Sequence, residues 1–209
     1  MKITNRVIEK FSAYPVFTYR DVRLSFNRSV KDANIFRALS YLKSTGRLFA
    51  IAKGRYTFNK DSAITGFAYA PFYYGLLYAM SIRELWTQNT MPEIVTLKTV
   101  RKGKAHAFGR GGSMISLHHS TPKHFFGFET IRYGKLSLPV SDPEKTLIDL
   151  FYYKTRLATQ NYSGLLRAVN AAKLNRYLTE YDNHTKSAVS NFMRKYKRIA
   201  QDGGLESKY

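Results

Sequence analysis

The chain has 209 residues, no cysteine, 44% hydrophobic residues and a formal net charge of +20. That length accommodates one small and one medium domain, and the lack of cysteine excludes disulfides, thiolate zinc sites and cysteine nucleophiles. A basic excess of this size calls for a polyanionic partner, bound with an affinity that falls as salt rises.

Ile3, Val7, Ile8 and Phe11 have the spacing of a first helix. Thr18 and Asp21 form a capping pattern that opens a second short helix through Val22 to Leu24. Ser29 and Asp32 repeat that pattern before a third helix, whose Ile35, Ala38, Leu39 and Leu42 share one face. Gly46 stands where a left-handed C-terminal cap is wanted. Arg47 to Ala52 and Arg55 to Phe58 then read as strands joined by a tight turn at Lys53-Gly54. Helices followed by a hairpin predict a winged helix-turn-helix over residues 1–60.

Opposite the apolar face of the third helix lie Ala33, Asn34, Arg37, Ser40 and Tyr41. Asn pairs bidentately with adenine and Arg with guanine, so these residue types suit base edges. Ser29 is a further candidate DNA contact, and Arg28, Lys31, Lys53 and Arg55 flank them at positions suited to phosphates. Residues 1–60 hold 13 Lys plus Arg against 3 Asp plus Glu, which is +10, half of the chain's excess. The competing reading is a winged helix used to dock protein.

From Ser62 to Ile82 no residue is charged, about the length of a membrane span. Its proline, glycines and tyrosine hydroxyls argue against hydrocarbon. The expected parse is an extended lead-in to Ala70, Pro71 at the first helical position and a buried aromatic helix through Met80. No membrane partner is expected. The N-terminus has basic residues without an apolar stretch behind them, so a signal peptide is not expected and the cytoplasm is the default.

Residues 90–140 read mainly as strand: Glu93 to Leu97, Met114 to His118, Phe126 to Ile131 and Lys135 to Val140. Between the first two lies a basic stretch with Lys98, Arg101, Lys102, Lys104 and Arg110. It lacks Walker spacing, leaving a solvated basic hairpin or a second DNA contact. His106, His118, His119 and His124 crowd the same region, but adjacent His118 and His119 point to opposite faces of a strand, and no metal site is expected. Ser141 and Glu144 make a capping box for a helix with Pro143 in its first turn and Leu147, Ile148, Leu150 and Phe151 on its apolar face. Asp142, Glu144 and Asp149 read as structural, the first two complementing the helix dipole. No catalytic residue and no cofactor is expected.

The tail from about residue 160 is helical and basic. Val189, Phe192, Met193, Tyr196 and Ile199 share one face, with Arg194, Lys195, Lys197 and Arg198 on the other. The expected fold class is α+β: a winged helix-turn-helix over 1–60, then a mixed α/β domain over 61–209 with a helical tail.

The order of parts resembles a family over roughly residues 3–155. GRLFAIAKGRYTF, then YAPFYYGLLYAMSIREL, then strands, then LSLPVSDPEKTLIDLFYY is similar to the AbiEi antitoxins of type IV toxin–antitoxin systems. The segment Ser81-Ile82-Arg83-Glu84-Leu85 departs from the family's His-Gly-Leu. The resemblance implies a cytoplasmic repressor that binds inverted repeats at its own promoter. It also implies a nucleotidyltransferase-like toxin, AbiEii, opposed without a stable complex. By position, the DNA-reading helix corresponds to Ser29–Thr45 and the wing to Lys53–Tyr56. Two other classes remain: a nuclease targeted by a winged helix, for which only Glu93 and Glu129 lie on expected strands, and an RNA-associated basic protein.

Overall fold

The computed structural model describes residues 2–27, 29–88, 90–100, 103–106, 114–155 and 157–201, with backbone alone at 103–106 and 199–201. Helix α1 (Ile3–Phe11) buries Val7 and Phe11. A two-residue strand, β1 (Phe17–Thr18), leads into α2 (Tyr19–Ser25). The expected box is present there: the Asp21 N–H donates to the Thr18 hydroxyl at 3.2 Å and the Thr18 N–H donates to the Asp21 carboxylate at 2.7 Å. Helix α3 (Asp32–Ser44) buries Ile35, Ala38, Leu39 and Leu42 as its spacing predicts. Truncating a buried Ile or Leu of this kind costs about 2–5 kcal/mol.

The start of α3 differs from expectation. Lys31 rather than Ser29 occupies the N-cap, and no side chain caps the helix. The Ser29 hydroxyl donates instead to the Phe26 carbonyl, closing the turn that leaves α2. Gly46 takes φ 65°, and the Arg47 and Leu48 N–H groups return to the Leu42 carbonyl. Strands β2 (Phe49–Ala52) and β3 (Arg55–Thr57) pair antiparallel across Lys53-Gly54, with Gly54 at φ 68°. Strand β1 adds to the free edge of β3, Phe17 opposite Tyr56. A hydrophobic cluster drawn wholly from residues between Ile3 and Phe58 fills this part.

The expected lead-in at 62–70 is a 3-10 helix, Ser62–Tyr69, capped by Asp61. Pro71 does not open a helix. It precedes strand β4 (Phe72–Tyr74), and α4 (Leu76–Ile82) begins only after Gly75. A strand buried on both faces has no polar alternation, so its tyrosines read as part of a helix. Both hydroxyls find partners in the core: Tyr74 donates to the Ala63 carbonyl and Tyr73 to Asp149 at 2.8 Å. Strands β5 (Glu93–Thr96), β6 (Gly103–His106), β7 (Met114–His119), β8 (Phe128–Tyr133) and β9 (Leu136–Ser141) complete a mixed sheet ordered β6-β7-β5-β4-β9-β8.

Helix α5 (Pro143–Tyr152) packs on the sheet and is buried on nearly every side. Its cap lies one residue later than expected. Asp142 accepts the Lys145 N–H at 2.8 Å, while Ser141 meets the Thr146 hydroxyl at 2.6 Å. Glu144 is taken by a different element, accepting the Asn170 N–H at 2.6 Å. Helices α6 (Ser163–Ala168), α7 (Ala171–Leu178) and α8 (Asn183–Gln201) follow. Leu165, Leu174, Leu178 and Val189 join Tyr73, Val95 and Leu147 in one cluster, with Phe192 and Met193 packed against it. Phe72, Tyr74, Ile94, Ile115 and Val140 form a second. The fold is α+β. Among the described residues no helix is long and apolar enough to cross a membrane.

Candidate nucleic-acid interface

Because α3 spends Ile35, Ala38, Leu39 and Leu42 on the core, its helical period turns Ala33, Asn34, Arg37, Ser40 and Tyr41 outward, and all five are exposed. Tyr41 retains 57% of its surface and Phe36 52%, large values for aromatic side chains. Phe36 stacks on Tyr19 of α2, with ring centroids 4.3 Å apart, and Arg23 of α2 pairs with Asp32 at 3.4 Å. These contacts join α2 to α3 across their exposed side.

The packing of α1 on α3 adds residues that sequence reasoning missed. Lys2, Thr4 and Asn5 at the start of α1 and Arg47 after α3 share an open groove with Asn34, Arg37 and Tyr41. No carboxylate lines this groove, and its three cations and two amides face one space. Such a surface is electropositive through its cations and offers amide donors and acceptors side by side. Only the basic character of Lys2 and Arg47 was visible beforehand, because the convergence depends on how the two helices cross.

Ser29, Lys31 and Lys53 are exposed as expected, and Arg55 is half-buried on β3. Arg28 lies outside the described residues. So do Arg101, Lys102 and Arg110 of the second candidate surface, and the side chain of Lys104. Lys98 is less available than expected: it is half-buried and its ammonium donates to the Ala68 carbonyl at 3.3 Å. Burial, with the nearby Arg55 guanidinium, lowers its pKa from the ordinary value. That proximity brings the first residue of the second surface beside the hairpin of the first. On α8, Arg194, Lys195, Lys197 and Arg198 are exposed, and Arg194 donates to Asn191 at 3.3 Å.

The described carboxylates and histidines in and beside the sheet have structural partners, and the side chain of His106 lies outside the described residues. Glu93 accepts the Leu77 N–H at 2.7 Å at the start of α4, and its other oxygen lies 3.8 Å from the buried His118. Glu129 pairs with Arg83 at 2.8 Å, and Arg83 also donates to the Ser141 carbonyl. His119, next to the buried His118, is exposed, and His124 stacks on Tyr181. Among the described residues, no three His, Asp or Glu side chains are grouped so as to hold a metal ion. Asp142 and Glu144 both reach Lys173 of α7 at 3.0 Å. Burial pushes Glu144 up, but the Asn170 N–H and the Lys173 ammonium together hold it below its ordinary value.

No protein-family model matches the chain, and no curated protein sequence does. Among solved structures, the RV2827C protein from Mycobacterium tuberculosis is similar over 100% of this chain and 82% of its own, with a TM-score of 0.63 and 12% identity. At that identity the likeness establishes a shared fold.

Proposed function

We propose that the protein is a DNA-binding transcriptional repressor acting as the antitoxin of a type IV toxin–antitoxin pair. In this reading residues 1–60 are a winged helix-turn-helix domain, and α3 enters the major groove of inverted repeats at the protein's own promoter. Asn34, Arg37 and Tyr41 read base edges. Ser29, Lys31, Lys53 and Arg55, with Lys2 and Arg47, position the phosphates. One observation carries the reading: the outward face of α3 converges with the start of α1 on a groove rich in amides and cations and free of carboxylate.

Residues 61–209 carry the antitoxin activity, opposing a nucleotidyltransferase-like toxin without a stable complex. The protein works in the cytoplasm, with no cofactor and no chemistry of its own. The sequence resemblance supports this part. Arg194, Lys195, Lys197 and Arg198 on α8 support a second nucleic-acid surface, since exposed cations on one helix face attract a polyanion.

Footprinting of the intact protein on its upstream region is expected to protect two inverted repeats. Co-expression with the neighbouring nucleotidyltransferase-like gene is expected to restore growth with nothing co-purifying. Uniform protection of unrelated duplexes, or a tight isolable toxin complex, contradicts the reading.

A further inference from the structure

The segment after α4 and the residues around the start of α6 wall a cleft of about 640 Å³. That is within the roughly 300–1,000 Å³ typical of small-molecule sites. The two walls are locked by backbone contact. A Cβ on Gly164 of α6 would fall 2.7 Å from the Leu85 carbonyl oxygen, so only glycine allows this approach. Glu84 at the cleft rim, at φ 58°, is the left-handed residue that ends α4, with the Leu85 N–H returning to the Met80 carbonyl at 2.9 Å.

The lining is chemically selective. Gln88, Gln160 and Asn161 bring three primary amides, each with a donor beside an acceptor. Arg167 is anchored by its Nε donating to the Ser163 carbonyl at 3.3 Å and is otherwise exposed. Trp86, the chain's one tryptophan, completes the cleft. Its indole Nε1 is buried with no hydrogen-bond partner among the described residues, which a packed core normally avoids.

We propose that this cleft holds one unpaired nucleotide of a single-stranded nucleic acid. The base stacks on Trp86, its edge meets the amides of Gln88, Gln160 and Asn161, and Arg167 takes the phosphate. An indole face and a guanidinium suit a base and its phosphate together, and donor–acceptor amides suit a base edge. The cleft itself sets one cation, Arg167, against one carboxylate, Glu84, and it is the +20 charge of the chain as a whole that favours a polyanion over a neutral sugar for the same aromatic wall. The site is separate from the α3 groove and does not rest on duplex reading.

The lone tryptophan supplies the test, because its emission reports on this cleft alone. The intact protein is titrated with single-stranded RNA and DNA homopolymers, with a mononucleotide, and with a mixed-sequence duplex. A single strand is expected to change the emission saturably, whether RNA, DNA or both. Gln160→Ala and Arg167→Ala should each weaken that binding about tenfold, the scale of one base or phosphate contact. Both residues are exposed, so unfolding midpoints should not move. Duplex affinity should be unchanged in both variants, which separates this site from α3. No saturable change with any strand, a response to the mononucleotide alone, or a change that survives both substitutions would overturn the proposal.

Discussion

Lys145 and Asp149, one turn apart on α5, form an ion pair with 1% and 0% of their side chains exposed. Three elements distant in sequence complete the site. The Tyr73 hydroxyl of β4 donates to Asp149 at 2.8 Å, and Lys145 donates to the Tyr181 hydroxyl at 2.7 Å. The ammonium also lies 5.4 Å from the ring centres of Tyr73 and Tyr181 and 5.6 Å from that of Phe126. Burial raises the Asp149 pKa, opposed by the adjacent Lys145. The pair thus joins α5 to β4 and to the segment between α7 and α8.

Removing one member leaves the other charge buried and alone. Asp149→Ala is expected to destabilise the protein by about 3–5 kcal/mol in urea unfolding. The double change Lys145→Met with Asp149→Leu should recover only part of that loss, because an apolar pair avoids desolvation of the charges but leaves the Tyr73 and Tyr181 hydroxyls without these partners. A single Asp149→Ala variant of wild-type stability would remove the pair from the account of the core.

The contacts of Lys173 with α5 predict opposite behaviour at the two ends of the pH range. Glu144 is depressed below its ordinary 4.5, so its contribution is present above that value and is lost as pH falls through the lower folded value. The Lys173 pKa is raised above its ordinary 10.5: burial opposes the rise, but Glu144 and Asp142 override it. Its contribution is therefore full below 10.5 and is lost as pH rises through the higher folded value. Melting temperature against pH should show a shallower acid limb in Glu144→Gln. An unchanged acid limb would contradict this assignment.

Two glycines at positive φ separate strain from crowding. At Gly46, φ 65°, a Cβ would meet nothing within 4 Å. Gly46→Ala should therefore cost only the backbone strain, about 1 kcal/mol. At Gly127, φ 71°, a Cβ would lie 2.9 Å from Lys145 Cβ and from Tyr177. Gly127→Ala should cost clearly more, measured by the same unfolding experiment. Equal losses at the two positions would contradict the difference in packing.

The elements legible in the sequence were those set by local rules. The Thr18–Asp21 box, the Ile35-Ala38-Leu39-Leu42 stripe and the left-handed Gly46 each rest on neighbours within one or two turns, and each stands as expected. The misses depend on distant partners. Strand β1 is two residues long and exists because β3 has an open edge beside it. Strand β4 reads as helix until β5 and β9 flank it. Nothing in the local sequence marks Lys145 as buried, because Tyr73 and Tyr181, which surround it, come from distant elements. In the groove, Arg37 and Asn34 were legible from the helical period, whereas Lys2, Asn5 and Arg47 required the crossing of α1 and α3.

The claim that α3 reads duplex DNA is tested most directly by the affinity of the intact protein for its promoter repeat and for an unrelated duplex across a salt series. Arg37→Ala is expected to cost about 1–3 kcal/mol on the repeat and to narrow its advantage over the unrelated sequence. Lys53→Ala should weaken both duplexes about equally and reduce the salt slope by about 1. Binding that is absent at low salt, or a preference for the repeat that Arg37→Ala leaves intact, would contradict the account.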